Sequence, residues 1–257
     1  MTKKQFWNQL LLFVAALLLI LIIREYFSHQ LIENRVESYK IHMLLGTGAN
    51  IILIILSMFF IKKNGLLKIA GIKGTKLKRW YLLLFPLVFL VLLNVLLMDD
   101  IHIDILFPNV LFLFIYCISI GFAEELSIRG FLQSHIINFL GNTKKNIIFS
   151  IFAAAIFFGL IHLLNFDKGI YGEISQVFFA TFIGIMFGVV LVITRRIYPL
   201  IIVHAVIDFA AKLDATGFPI KEKINTSMSI ENAVLSVLLV LPCLLYGIFL
   251  MKKSALT

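Results

Sequence analysis

Long apolar runs are the feature that most limits what this chain can fold into. Crossing a bilayer as an α-helix takes about 20 predominantly apolar residues. Charged residues make up only 14% of the chain, so a soluble fold would leave most apolar side chains without a core to enter. The runs are continuously apolar, whereas a membrane β-barrel needs alternating strands. The sequence therefore predicts an all-α, polytopic transmembrane bundle of about eight spans, at 6–23, 43–61, 80–98, 105–123, 146–164, 174–193, 197–211 and 230–251.

The segments between these runs contain no repeat of fixed period and no Pro-, Gly- or Ser-rich linker, so residues 1–257 are expected to form one integral membrane domain. The first run is followed by Arg24 and Glu25, where a cleaved signal peptide would have small residues. It is therefore expected to remain as the first span. The seventh run is short, and the fourth is compatible with a continuation into 124–140.

The charged residues are distributed unevenly between the two sides that such a bundle would have. With the N-terminus in the cytoplasm, the inside segments hold 16 of the 23 basic residues. These are Lys3, Lys4, Lys62, Lys63, Lys68, Lys73, Lys76, Lys78, Arg79, Arg129, Lys144, Lys145, Arg195, Arg196, Lys252 and Lys253. The opposite loops collect Asp99, Asp100, Asp104, Asp167, Glu173, Asp214, Glu222 and Glu231. The positive-inside rule then predicts that both termini are cytoplasmic. The expected location is the cytoplasmic membrane of a bacterium.

Three other features have simple interpretations. The basic segment from Lys62 to Arg79, within a net charge of +9, fits contact with anionic lipid headgroups, so no nucleic-acid partner is expected. Cys117 and Cys243 lie inside apolar runs without CxxC spacing, which favours packing over a disulfide or zinc site. The GxxxG motif of Gly184 and Gly188 predicts a close approach of two helices.

Two adjacent acids interrupt the apolar pattern. Glu124 and Glu125 are followed by Arg129. Glu125 and Arg129 share a helical face at i,i+4 with the acid first, so they can pair, while Glu124 points about 100° away. An ionisable residue within a membrane is a functional-site hypothesis by default. On this motif alone, a charged helix end at the membrane surface is equally compatible.

Two later runs contain histidines. His162 shares a helical face with Phe158, and His204 shares one with Asp208, again at i,i+4. A single histidine in an apolar helix is more often a packing residue than a catalyst. A carboxylate one turn away can fix the tautomer of His204, although the same pair also fits a local structural bond.

Spacing adds a constraint on where these groups meet. A hairpin turn centred near Thr143 would place Glu124 and His162 at the same depth on antiparallel helices, because each lies 19 residues from it. His204 is only eight residues from Arg196, which would put it nearer the cytoplasmic side. Either 124–140 projects beyond the bilayer, or helices tilt or break here.

The three motifs, in this order, resemble a known family. They are Glu-Glu-x-x-x-Arg at 124–129, Phe-x-x-x-His at 158–162 and His-x-x-x-Asp at 204–208. Together they are similar to the signature of the CPBP intramembrane proteases, or Abi proteins, which include CAAX proteases and bacterial members linked to bacteriocin processing and self-immunity. The resemblance covers roughly residues 105–211.

The resemblance implies a role for each matching residue. Glu124 would be the general base that activates water, and His162 would hold that water or share its proton. His204 would stabilise the oxyanion of the tetrahedral intermediate. Arg129 would brace Glu125, and Phe158 would support the site beside His162.

Asp208 departs from the pattern, since many family members have Asn at this position. A carboxyl group donates to an oxyanion only when protonated, which favours a role for Asp208 in orienting His204. No cofactor is expected, because the chain lacks HExxH. Zinc is the alternative activator, and Glu124, His162 and His204 would then be its ligands.

Three classes of function stay open. The first is an endopeptidase that cleaves a membrane-associated peptide or protein in or near the bilayer. The second is a non-catalytic immunity or scaffold protein that retains the motifs for binding. The third is a transporter, against which the sequence shows no convincing inverted repeat. The complete set of Glu124, Arg129, His162 and His204 favours the endopeptidase, while substrate and oligomeric state are left undetermined.

Overall fold

The computed structural model describes residues 1–74, 76–165, 169–220 and 227–253. Every regular element within these ranges is helical. The α-helices are α1 (Lys3–Glu33), α2 (Tyr39–Lys63), α3 (Leu84–Leu96), α4 (Ile103–Leu106), α5 (Val110–Glu125), α6 (Ser134–Leu140), α7 (Lys144–Ile161), α8 (Gly169–Thr194), α9 (Ile197–Ala210) and α10 (Ile230–Lys253). Trp80–Leu83 and His162–Asn165 form 3₁₀ turns, and Leu126–Gln133 forms a π-helix.

Helices occur in all eight predicted spans. Six of those in the described part of the chain are long and apolar enough to cross a membrane: Lys3–Glu33, Tyr39–Lys63, Val110–Leu140, Lys144–Leu164, Gly169–Thr194 and Ile230–Lys253. The other two predicted spans contain the shorter apolar helices Trp80–Leu96 and Ile197–Ala210. The prediction of an all-α membrane bundle is therefore confirmed. Several boundaries differ. For example, α1 extends to Glu33, and α5 begins at Val110, after Pro108 has interrupted the preceding helical turn.

The predicted hairpin turn is present. Thr143 is the N-cap of α7, and its hydroxyl accepts a hydrogen bond from the Asn146 backbone N–H at 3.3 Å. Gly141 ends α6 with a φ of 92°, a conformation that glycine adopts without steric strain. The chain therefore reverses between α6 and α7, and the two helices run antiparallel.

The helix does not stop after the acid pair. Val110–Leu140 is one continuous helix whose middle, Leu126–Gln133, has π-helical hydrogen bonding, and all eight residues of that segment are buried. Such widened turns occur frequently at functional sites. The helix is thus continuous where the spacing left a break open, and its hydrogen bonding changes locally there.

The half of the bundle that contains the N-terminus is filled by aromatic packing. The Phe13 and Phe131 rings lie 4.1 Å apart between centroids, and each lies 5.4 Å from the ring of Phe60. Phe13 and Phe131 are fully buried. This aromatic cluster, Phe13, Phe60 and Phe131, fills that half of the molecule with packed side chains.

The two glycines of the GxxxG motif confirm the predicted close approach. A Cβ at Gly184 would lie 3.1 Å from Ala155 Cβ on α7, and one at Gly188 would lie 2.6 Å from Gln133 Oε1 on the π-helix. The predicted packing role of the cysteines also agrees with the structure, because Cys117 and Cys243 are buried free thiols. Of these four residues, Gly184 also contributes its carbonyl oxygen to the site described next.

Candidate active site

The last turn of α5 sends its two glutamates into different environments. The Glu125 side chain is fully buried, whereas 33% of the Glu124 side-chain surface is exposed. Consecutive positions on a helix differ by about 100° in direction, so one carboxylate can face the protein interior while its neighbour faces a cavity. The same separation was predicted from the sequence.

Glu125 is the centre of a buried hydrogen-bond network. Its Oε1 accepts from Arg129 Nη1 at 2.9 Å, which is the predicted pair, and it bonds His204 Nδ1 at 2.8 Å. An oxygen that accepts from a guanidinium is an acceptor for the imidazole too, so Nδ1 donates. Glu125 thereby fixes the tautomer of a histidine 79 residues further along the chain.

Arg129 is held on several sides. It is only 1% exposed, and Nη2 lies 3.5 Å from the Gly184 carbonyl oxygen. Its guanidinium carbon lies 4.8 Å from the ring centre of Phe158 and 5.6 Å from that of Phe187. Aromatic faces attract such a cation, more so where water is excluded. Phe158 therefore contacts the cation of the network directly.

Because Gly121 has no side chain, α9 approaches α5 closely enough for His204 to join this network. A Cβ at Gly121 would lie 2.8 Å from the Ile201 carbonyl oxygen and 3.3 Å from Ala205 Cβ. Gly121 lies one helical turn before Glu125, on the same face of α5. The contact between the two backbones brings His204 within hydrogen-bonding distance of Glu125.

The other nitrogen of His204 faces carboxylates on the cavity side. Nε2 lies 3.5 Å from Glu124 Oε2 and 3.9 Å from Asp208 Oδ1. Both distances suit electrostatic attraction, but they exceed an ordinary hydrogen bond. The hydrogen bond that orients the His204 ring comes from Glu125, and an additional orienting role for Asp208 stays a prediction.

His162 begins the 3₁₀ turn that follows α7. Its Nδ1 donates to the Phe158 carbonyl oxygen at 2.7 Å, and the two rings meet edge to face at 4.8 Å. With the proton on Nδ1, Nε2 of the neutral ring is an acceptor. His162 also lines the cavity that Glu124 faces.

The cavity has a volume of about 520 Å³ and both polar and apolar walls. That size lies within the range of pockets that bind small organic ligands, roughly 300–1,000 Å³. Glu124, His162, His204 and Asp208 all line it. Burial acts to lower the pKa of Lys212 at the wall, but the negative charge of Asp208 outweighs it, so the pKa of Lys212 lies above its usual value. This ammonium therefore stays charged at neutral pH.

The donor set for a metal is limited. Within the described ranges, no three His, Cys, Asp or Glu side chains are grouped in a way that would hold a metal ion. Glu124, His162 and His204 share the cavity, and zinc binding by them stays a prediction for experiment.

Reasoning from the sequence missed two parts of this arrangement. The first is the bond from Glu125 to His204, and the second is the role of Gly121. A signal for the second was present, since a glycine precedes the buried acid by one helical turn on the same face. No local pattern signals the first, because the two partners lie on helices far apart in the chain.

The fold and cavity define a polytopic helical membrane protein with a buried carboxylate–histidine centre. Residues 106–210 match the family model described as Type II CAAX prenyl endopeptidase Rce1-like, and this segment contains all three motifs. This match supports the resemblance to the CPBP family and points to an intramembrane endopeptidase. No curated protein and no solved structure matches the chain.

Proposed function

We propose that this protein hydrolyses a peptide bond of a membrane-associated peptide or protein, with Glu124 as the general base. The observation that carries the proposal is the division between the two glutamates. Glu125 is committed to Arg129 and His204 in the interior, while Glu124 faces the cavity 3.5 Å from His204 Nε2. Glu124 is the carboxylate that Arg129 does not bind, so it is the one available to accept a proton.

In the proposed reaction, Glu124 removes a proton from water as the water oxygen bonds to the carbonyl carbon of the substrate. The carbonyl oxygen becomes an oxyanion. His204 in its doubly protonated form donates to it from Nε2, while Nδ1 continues to donate to Glu125. The intermediate then breaks its C–N bond, and Glu124 returns the proton to the leaving amine. No group is consumed beyond water and the peptide.

Two features of the cavity support this chemistry. His162 lines the same cavity as Glu124, and its acceptor nitrogen would orient the attacking water. The ring of Phe187 lies 5.5 Å from that of His204 and covers part of the centre with apolar surface. Donors in such a water-poor environment stabilise developing charge more strongly than they do in water.

The test replaces the proposed base with its neutral isostere. Glu124→Gln preserves size and hydrogen bonding but removes basicity, so turnover should fall by roughly 10²–10⁴-fold. Without a known substrate, turnover is measured as new peptide termini, found by mass spectrometry of membranes from cells that express each variant. Glu33→Gln, the same change at an exposed position of α1, serves as the matched control.

Termini that depend on the wild-type protein should persist in Glu33→Gln and disappear in Glu124→Gln. If a folded Glu124→Gln protein keeps full activity, the base is another group and the proposed mechanism is wrong. If wild type itself produces no new termini, a binding or immunity role replaces hydrolysis. Stoichiometric zinc that is lost in His162→Ala would instead assign water activation to a metal.

A further inference from the structure

The structure assembles the basic end of the bundle from segments distant in sequence. The Lys78 backbone N–H donates to the Thr194 carbonyl oxygen at 2.9 Å, and the Ile197 N–H donates to that of Gly71 at 3.3 Å. The basic segment after α2 therefore lies on the turn between α8 and α9, which carries two arginines. His135 Nε2 near the end of the long helix bonds the Phe6 carbonyl oxygen at 3.2 Å, so the start of α1 belongs to this end as well.

The opposite end is joined in the same way. The Asp99 backbone N–H donates to Asp214 Oδ2 at 3.2 Å, and the Ile220 N–H donates to the Glu37 carbonyl oxygen at 3.0 Å. The loops that follow α1, α3 and α9 thus form one surface with several acidic residues. Asp167 and Glu222, which were also expected on this side, lie outside the described residues.

The cavity is built from the helix halves nearest the acidic end. Arg24 lines it from the last third of α1, and Leu97 lines it from just beyond α3. His162 and Lys212 follow the ends of α7 and α9, and Ser236 lies two turns into α10. All five positions lie in the halves of the helices nearest the acidic surface or just beyond them.

On the side of the basic end, the cavity is bordered by packed, buried side chains. The aromatic cluster lies on that side, and Ile61 and Ile197, both fully buried, press on Gly130 of the π-helix, where a Cβ would lie 3.0 and 3.5 Å from their Cδ1 atoms. Leu66, in the basic segment itself, is also fully buried. A chain approaching from the basic surface would therefore have to displace this core.

Basic residues are retained on the cytoplasmic side of a membrane protein. We infer that the candidate active site opens to the non-cytoplasmic side, and that its substrates are exported or membrane-inserted peptides whose susceptible bond lies in or above the outer half of the bilayer. This inference rests on the proposed function, since it names the substrates of the same site. The inference also distinguishes these substrates from peptides whose susceptible bond stays in the cytoplasm.

The test reads the direction of access without relying on catalysis. Single cysteines are introduced as Lys212→Cys and Ser236→Cys at the cavity, Asp100→Cys on the acidic surface and Lys145→Cys on the basic surface, in a background of Cys117→Ala and Cys243→Ala. Spheroplasts of the expressing bacterium are treated with a charged maleimide that does not cross membranes, before or after permeabilisation. Size-exclusion chromatography in detergent confirms that each variant is folded.

We expect the two cavity cysteines and Asp100→Cys to react fully in sealed spheroplasts, and Lys145→Cys to react only after permeabilisation. The reverse pattern would overturn the inference. So would protection of both cavity positions in sealed and permeabilised spheroplasts while Asp100→Cys reacts, because the cavity would then have no aqueous opening on that side. Adding Glu124→Gln should leave the labelling unchanged, so a failure of the proposed catalysis is separable from a failure of the proposed orientation.

Discussion

The two sides of the Glu124–Glu125 pair use charge in opposite ways. On the interior side, Glu125 and Arg129 are at most 1% exposed and are fixed by hydrogen bonds and aromatic faces. On the cavity side, Glu124 and Asp208 are 33% and 20% exposed, and they lie beyond hydrogen-bond distance of His204 Nε2. The interior charges are therefore fixed in place, whereas the cavity charges are not held by such bonds. The predictions below test that division.

The largest effect on stability is expected from breaking the buried ion pair. Arg129→Met leaves the Glu125 carboxylate buried without its counter-charge, so the free energy of unfolding should fall by about 3–5 kcal/mol. Unfolding in detergent, by heat or denaturant, measures it. Glu124→Gln is the matched control on the cavity side and should change stability by less than about 1 kcal/mol. Equal losses in the two variants would show that the two sides are not different.

Removing both members of the pair sharpens the comparison. In Glu125→Gln/Arg129→Met no uncompensated charge remains, so the double variant should be more stable than the sum of the single losses predicts, by about 1 kcal/mol or more. The double-mutant cycle in the same unfolding assay gives this coupling energy directly. Simple additivity would mean that the 2.9 Å contact contributes little of the energy.

The next prediction concerns the contact that joins the interior network to α9. Gly121→Ala places a methyl group 2.8 Å from the Ile201 carbonyl oxygen, so α5 and α9 must separate. Overpacking of this kind costs about 1–3 kcal/mol. Activity should also fall, because the bond from Glu125 to His204 lengthens.

Gly48 provides the control, since nothing lies within 4 Å of a Cβ built there. Gly48→Ala should raise helix stability by about 0.5–1 kcal/mol. Wild-type stability and activity in Gly121→Ala would contradict the claim that close approach of the two helices positions His204.

The smallest effect is expected at Asp208. Its carboxylate lies 3.9 Å from His204 Nε2 and is partly exposed, so its interaction with the ring should be worth about 0.2–1 kcal/mol. Asp208→Asn, which introduces the residue common in the family, should therefore change turnover by less than about fivefold. Peptide-terminus analysis measures it. A loss as large as that of Glu124→Gln would give Asp208 a direct part in the reaction.

Much of this arrangement could be predicted from local sequence. Apolar runs of membrane length identified the helices, and i,i+4 spacing identified the pair of Glu125 and Arg129. The turn at Thr143 was predicted because the chain must reverse its direction between the apolar runs on either side of it. These features depend on residues close together in sequence, where helix geometry is the only structural information required.

The parts that could not be predicted depend on contacts between distant helices. The bond from Glu125 to His204 requires α5 and α9 to meet, and the backbone contact at Gly121 that allows it is set by tertiary packing. Sequence spacing predicted that Asp208 lies beside His204. The carboxylate of Glu125, on α5, lies closer to the His204 ring than that of Asp208 does. Side-chain contacts along one helix are therefore a weaker guide to orientation than contacts across the bundle.

The π-helix also determines which faces the long helix presents. Each π turn takes in one residue more than an α turn, so it changes the direction of all later side chains by about 100° per extra residue. Glu124 and Glu125 precede this phase shift, and Gln133, which donates to the Gly188 carbonyl oxygen at 3.2 Å, lies at its end. The number of residues between the face that carries Glu124 and the contact with α8 is therefore as important as their identity. Deleting one residue here would restore a regular helix, yet it would turn one of the two faces away from its partner.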